Sequence, residues 1–291
     1  MTLVFIHIPK TAGASFHHAL DRVHRKGQNF SIRNMFPLES IKEFSGYSEE
    51  YRTRFNLVKG HHAHLLLPKV IDAETITVLR DPLMQFVSSF HHIRRTPQNP
   101  RHEEVKNLAT IREFIDYCKS TGFSNGQTYH LGYTLADLEN NRGHYREVTQ
   151  ADFDRASALL QNINYVLLTE HFHEGLVLLQ HELGWPDPVY EWKNKSPQKV
   201  RRGMSEEMER EILELQHFDV QLYEMAQKRY QELKSNYQGN LDQAVRRYEG
   251  INERFNKWKG PLSGIKGQLY YYAEKLGLMT PAWKVPPKHL R

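Results

Sequence analysis

Hydrophobic positions along this chain gather into short β-branched or apolar runs at Leu3–Ile8, Phe55–Val58, Thr75–Leu79 and Tyr165–Leu168. Each run gives way to a polar or Gly-bearing turn and then to residues with helical spacing. Those helical stretches are Ser15–Arg25, Leu83–Arg94, Ile111–Lys119, Phe153–Leu160 and His173–Leu183. The alternation predicts βα units on a parallel sheet, an α/β fold. The runs are nearly continuous, as strands covered by helices on both faces require. From Ser205 the character changes, and SEEMEREILELQHFDVQLYEMAQKRYQELKS keeps apolar spacing behind a Ser205 cap, which predicts one long helix. Gly239–Arg291 reads as two more helices packed outside. We therefore expect one domain at 1–235 and a helical C-terminal extension at 236–291.

Composition narrows the class. With 39% hydrophobic and 25% charged residues over 291 positions, the chain is a folded globular protein. Its formal charge of +5 favours an anionic partner, yet it lacks the Lys/Arg-rich helix of a duplex-DNA binder, so no nucleic acid is expected. A single cysteine, Cys118, excludes a disulfide within the chain. The opening MTLVFIHIPK is too short an apolar run for a transmembrane segment or a secretory signal, and the expectation is a cytoplasmic protein.

Two anion sites are legible at strand ends. The first run passes into Pro9-Lys10-Thr11-Ala12-Gly13-Ala14-Ser15 and then a helix. That arrangement turns unpaired backbone N–H groups and a positive helix end toward an anion. Gly13 permits close approach, Lys10 brings a mobile charge, and Thr11 and Ser15 bring hydroxyls. The Lys precedes the turn, so this is not a Walker loop. The second site follows Thr75–Leu79, where Asp81 suits an N-cap and Pro82 the first helical turn. Arg80 stands at the carboxyl end of its strand, where parallel sheets bind ligands, and Ser88 lies two turns along the next helix. Together they are suited to a second phosphate.

HIPKTAGASF and VLRDPLMQFVSSF resemble the two cofactor motifs of carbohydrate sulfotransferases that use 3′-phosphoadenosine 5′-phosphosulfate (PAPS), and in particular the group containing heparan sulfate and uronyl 2-O-sulfotransferases. NYVLLTEHFHEGLVLLQHELGW and WKNKSP are similar to later segments of that family, so the likeness covers residues 1 to about 235. The resemblance implies a P-loop-NTPase-like parallel sheet and sulfuryl transfer from PAPS to a hydroxyl of a carbohydrate or glycan acceptor, without a metal. It assigns Lys10, Thr11, Ala12, Gly13, Ala14 and Ser15 to the 5′-phosphosulfate, and Arg80 and Ser88 to the 3′-phosphate. This chain departs from the pattern at Ala14, where the family has Thr, and at Gln85, where it commonly has Arg. It also lacks the membrane anchor of the animal Golgi members, which makes a soluble bacterial-type relative the expectation.

Displacement by an alcohol needs a base within ~3 Å of the hydroxyl, and His is the side chain suited to it near neutral pH. Lys59-Gly60-His61-His62-Ala63-His64 follows the second run, where 2-O-sulfotransferases carry His-Gly-His. His61 matches the second histidine of that motif, their proposed base, while Lys59 stands at the first. Lys10 is expected to meet charge on the leaving oxygen. The proximity of His61, His62 and His64 leaves a metal reading open, although no Cys or HExxH partner accompanies them. His7, His17, His18, His91 and His92 read as packing or surface residues, with His17 able to approach the cofactor. The alternatives are a P-loop-type nucleotide kinase and a non-catalytic binder of the nucleotide or of an anionic glycan. The basic cluster Lys193, Lys195, Lys199, Arg201 and Arg202 suits an acidic glycan, and the tail aromatics Tyr270, Tyr271 and Trp283 suit an acceptor site or a homodimer contact.

Overall fold

The computed structural model describes residues 1–24, 28–34, 36–141, 145–191 and 204–275, with 141 and 259–275 as backbone alone. Its sheet has five parallel strands in the order β2-β3-β1-β4-β5, with β1 at Thr2–Ile6, β2 at Asn29–Ser31, β3 at Leu57–Gly60, β4 at Ala73–Leu79 and β5 at Tyr165–Leu168. Helix α1 (Gly13–Val23) joins β1 to β2, and α2 (Pro37–Gly46) and α3 (Glu49–Arg52) precede β3. A 3-10 helix at Ala63–Lys69 leads into β4. Six helices separate β4 from β5: α4 (Pro82–Arg95), α5 (His102–Val105), α6 (Ile111–Thr121), α7 (Gly126–Gly132), α8 (Leu135–Asn141) and α9 (Gln150–Asn162). After β5 come α10 (Phe172–Leu183), α11 (Glu206–Leu215), α12 (His217–Ser235) and α13 (Leu241–Lys275). The parallel α/β sheet flanked by helices is the one that the apolar runs predict.

All five residues of β1 are buried, since helices pack on both faces of the sheet. Phe16 and Leu20 of α1, Leu176 and Leu179 of α10, and Tyr230 of α12 fill the core against it. A second core joins Leu83, Phe86 and Phe90 of α4 to Phe114, Ile115 and Cys118 of α6 and Ile212 of α11. It holds α4 rigidly over the end of the sheet. Among the described residues no helix is long and apolar enough to cross a membrane.

Three expectations are corrected. The first strand stops at Ile6 and the second begins at Leu57, so each apolar run overstates or misplaces its strand by two residues. The long helix expected from Ser205 is two helices. Ser205 caps α11 as expected, its Oγ accepting from Met208 N at 3.3 Å. The chain breaks at Gln216, whose side chain accepts from Asn125 N at 2.8 Å, while Asn125 Oδ1 accepts from Phe218 N and Asp219 N. A side chain from a distant loop thus supplies a new N-cap in mid-run. The third correction is α13, which runs unbroken through Leu241–Lys275, the described part of the tail where two helices were expected. It docks on α10 and the segment after it: Tyr248 OH donates to Pro188 O at 3.0 Å, and Asn252 Oδ1 accepts from Tyr190 N at 2.9 Å.

The strand order positions the site. β1 lies between β3 and β4, and Ile6 is in register with Gly60 and Thr77. Chain segments leaving three adjacent carboxyl ends must therefore meet, at the switch point where such sheets bind ligands.

Candidate active site

The loop after β1 leaves a row of backbone amides open at the start of α1. Lys10 (φ 69°) and Ala12 (φ 62°) are both left-handed, and Ala12 is the N-cap of α1 with no side chain to close it. Ser15 N and Phe16 N return to Ala12 O, whereas the N–H groups of residues 10–14 have no acceptor among the described residues. Such a concave row of donors at a helix start attracts phosphate-like groups. Thr11 is fully buried and its hydroxyl donates to Ile8 O at 2.9 Å, so the hydroxyl proton expected for the anion is already engaged in holding the turn. Ala14 is exposed and Ser15 half-buried at the loop's mouth. Gly13 is there for a reason the sequence does not show. A Cβ on it would lie 1.8 Å from Nε2 of His7, so the imidazole of β1's end occupies the space a side chain would need.

Arg80 completes this face from β4. Its Nη1 donates to Lys10 O at 3.1 Å, tying the second strand end to the first loop, while its buried Nε has no partner. Asp81 caps α4 by accepting from Met84 N at 2.9 Å, with Pro82 in the first turn, as the sequence predicts. Gln85, standing where Arg is common, is buried and reaches Pro9 O at 3.4 Å, a link from α4 to the loop rather than a ligand donor. Ser88 is half-buried, with His92 and Arg95 one and two turns further along the same helix. Burial first, then the charges of Arg80 and Arg95, lower the pKa of Lys10, and burial does the same to Arg80 against the pull of Glu170 and Asp81. Lys10 has no carboxylate partner among the described residues. The ammonium of Lys10, partly buried and repelled by Arg80 and the exposed Arg95, is stabilised when an anion enters beside it.

The β3 exit supplies the histidines. Gly60 (φ 139°) turns the chain against Ile32, whose Cβ would lie 2.9 Å from an added Cβ. His61 then stacks on His7, ring centroids 4.3 Å apart, and its Nδ1 lies 2.8 Å from His7 O. A carbonyl only accepts, so Nδ1 carries the proton of the neutral ring and Nε2 presents a lone pair. Burial lowers the pKa of His61, partly countered by that hydrogen bond, which keeps the ring neutral at neutral pH. His64 is arranged oppositely: Nε2 donates to Tyr133 O at 2.8 Å, and its lone pair on Nδ1 is buried without a partner. His62 is buried against His130 and Tyr133. His62 Nδ1 and His64 Nδ1 are both buried without partners, whereas on His61 the hydrogen bond to His7 O leaves the lone pair on Nε2. Lys59, at the place of the 2-O group's first histidine, is buried in an ion pair with Asp21 and faces α1 instead.

The histidine cluster is larger than the sequence suggests. His17 Nε2 meets His7 Nδ1 at 3.1 Å, and His130 of α7 packs beside both His61 and His62. Burial depresses them all, His17 to about 3 and His64 to about 4, and the charges of neighbouring histidines add to it at His7, His62 and His130, with Lys59 and then His61 adding at His17. The rings stack face to face, and among the described residues no group of three has the arrangement to hold a metal ion. His92, expected as a packing or surface residue, is half-buried and feels Lys10, Arg95 and His61; its pKa falls to about 4, chiefly through burial. The spacing 88, 92, 95 on one helix is the signal that places it here. Nothing comparable announces His130, since GQTYHLG shows no helical periodicity. Glu170 is occupied, accepting from Asp81 N at 3.1 Å and from Tyr223 OH at 3.0 Å. WKNKSP, the basic cluster at Lys193–Arg202 and Trp283 lie outside the described residues, as do the side chains of Tyr270 and Tyr271.

The family model of galactose-3-O-sulfotransferases matches residues 2–257, from β1 into α13. The chain belongs to the galactose-3-O-sulfotransferase family. A search of the curated proteins found no match. Family membership makes this a sulfotransferase of carbohydrate-type acceptors, and the nucleotide kinase alternative falls. The matching family is the galactose-3-O one, where the motifs alone suggested the 2-O group; both are carbohydrate sulfotransferases. Within the galactose-3-O-sulfotransferase match lie all the residues assembled above, from Lys10 and Arg80 to His61 and His130.

Proposed function

We propose that the protein transfers a sulfuryl group from PAPS to a carbohydrate hydroxyl, with His61 as general base and Lys10 at the leaving oxygen. The observation that carries the reading is the tautomer of His61, with Nδ1–H on His7 O and the lone pair therefore on Nε2, in a ring stacked on His7 just past the end of β1. The donor fits the residues present. Open N–H groups at 10–14 and Lys10 suit the 5′-phosphosulfate, and the partnerless Nε of Arg80, with Ser88, suits the 3′-phosphate.

In the displacement, the acceptor oxygen bonds to sulfur as the bond from sulfur to the bridging phosphate oxygen breaks. The acceptor proton passes to His61 Nε2, and the charge gained by the departing phosphate is met by Lys10. Such stabilisation grows toward the transition state and so raises kcat. The family's name points to the 3-hydroxyl of galactose as acceptor. The division at 235/236, with α13 docked through Glu249 on His173 at 2.9 Å, belongs to the same proposal.

The test is transfer of label from PAPS to a panel of galactosides, read for wild type and for His61→Ala. The variant is expected to bind PAPS normally and to lose roughly 10²–10⁴-fold in turnover, the weight of general-base catalysis. His62→Ala and His64→Ala, once shown to be folded, should lose less. Full activity in His61→Ala would remove the assignment.

A further inference from the structure

We infer that Gln127 of α7 is a positioning residue for the 3′-phosphate, acting through Arg80; this rests on the PAPS reading above. β4 ends at Leu79, and past that point the ladder offers Arg80 no backbone partner. Gln127 replaces it on both sides. Its Oε1 accepts from Arg80 N at 2.9 Å and its Nε2 donates to Arg80 O at 2.8 Å. The neighbours are held likewise, Leu79 O by Thr169 Oγ1 at 3.0 Å and Asp81 N by Glu170 at 3.1 Å. The peptide carrying Arg80 is thus gripped by side chains, and its guanidinium, hydrogen-bonded among the described residues to Lys10 O alone, keeps donors such as Nε for a ligand.

Gln127 is itself immobilised. It is fully buried, and its N–H donates to Asp219 Oδ2 at 3.0 Å. Thr128 N and Oγ1 both donate to Asp219 Oδ1 at 2.7 Å. α12, through Asp219, fixes the start of α7, and α7, through Gln127, fixes Arg80. Recognition of a phosphate by a guanidinium depends on orientation as well as charge, so the clamp should set how well the 3′-phosphate is distinguished.

Calorimetric titration with 3′-phosphoadenosine 5′-phosphate and with adenosine 5′-phosphate, which lacks the 3′-phosphate, isolates that contribution. Wild type should prefer the 3′-phosphorylated nucleotide. In Gln127→Ala the preference should fall by about tenfold, the weight of one misdirected charge-assisted bond, with affinity for adenosine 5′-phosphate unchanged. Gln127→Glu keeps the acceptor for Arg80 N and loses the donor to Arg80 O, and it should show the same loss should the alanine variant not fold. Thr128→Val removes one of the bonds to Asp219 that fix α7 but keeps both Gln127 bonds to Arg80, and it should lower the ratio by less than Gln127→Ala. If both nucleotides weaken in parallel, or the ratio is unmoved, Gln127 is a structural residue and the inference is overturned while the PAPS reading stands. A wild-type protein indifferent to the 3′-phosphate would overturn both.

Discussion

Gly13→Ala tests the packing beneath the candidate base with the smallest possible change. Gly13 is the first residue of α1, a helical position that any residue can adopt, so the perturbation is one of space alone. The new Cβ would stand 1.8 Å from Nε2, 2.2 Å from Cδ2 and 2.7 Å from Cε1 of His7. To reach ordinary contact the ring must retreat by roughly 1.5 Å, and its surroundings oppose that. His17 holds it at Nδ1, 3.1 Å away, Phe5 stacks at 5.5 Å and His61 at 4.3 Å. Whichever partner gives way, the His7–His61 stack or the His7 carbonyl moves, and Nε2 of His61 swings with it. A misplacement of about 1 Å at reacting groups can cost 10²-fold, so kcat should fall on the order of 10²-fold. Stability should fall by about 1–3 kcal/mol, the range for overpacking. Turnover with PAPS and a galactoside, alongside thermal melting, reads both. An alanine variant with kcat within about threefold of wild type would refute the reasoning, because the ring would then have room that the structure denies it.

Acid should destabilise the protein early. His7, His17, His61, His62, His64 and His130 all have pKa values lowered in the fold, so the unfolded chain takes up protons first. Their stability contribution is complete above about pH 6.5 and declines as pH falls below it; for His64 the loss runs toward about pH 4 at about 1.4 kcal/mol per unit. Melting temperatures that stay flat between pH 7 and pH 5 would contradict this. Lys10→Ala should weaken binding of PAPS and lower kcat together, in contrast to His61→Ala; loss of binding alone would remove it from the leaving oxygen. Asn125→Ala removes the N-cap of α12 and leaves a β-carbon residue at φ 52°, and chemical denaturation should show a loss of about 2 kcal/mol.

The fold class was legible because continuous apolar runs followed by helical spacing have few solutions other than a covered parallel sheet. The turn after β1 that opens α1 and the Asp81-Pro82 cap were legible for a related reason: their geometry is local, confined to a turn and the first residues of a helix. β2 was missed because three residues, Asn29–Ser31, carry too little pattern, and the break at Gln216 was missed because its cause, Asn125, lies far away in the chain. Which histidine presents a lone pair was not legible either. His61, His62 and His64 are adjacent in sequence, and only the tertiary partners, His7 O for one and Tyr133 O for another, choose the tautomer each adopts. The same holds for Gly13, whose missing side chain answers to His7, and for Gln127, whose amide matches the backbone of Arg80. Apolar periodicity and turn chemistry act between near neighbours, so the sequence by itself determined the parallel sheet, most of its helices and the turns that leave its carboxyl end. Hydrogen-bond partners and excluded volume across β3, β1, β4 and α7 arise only when distant segments pack, so the tertiary structure alone decided which side chains those loops bring together.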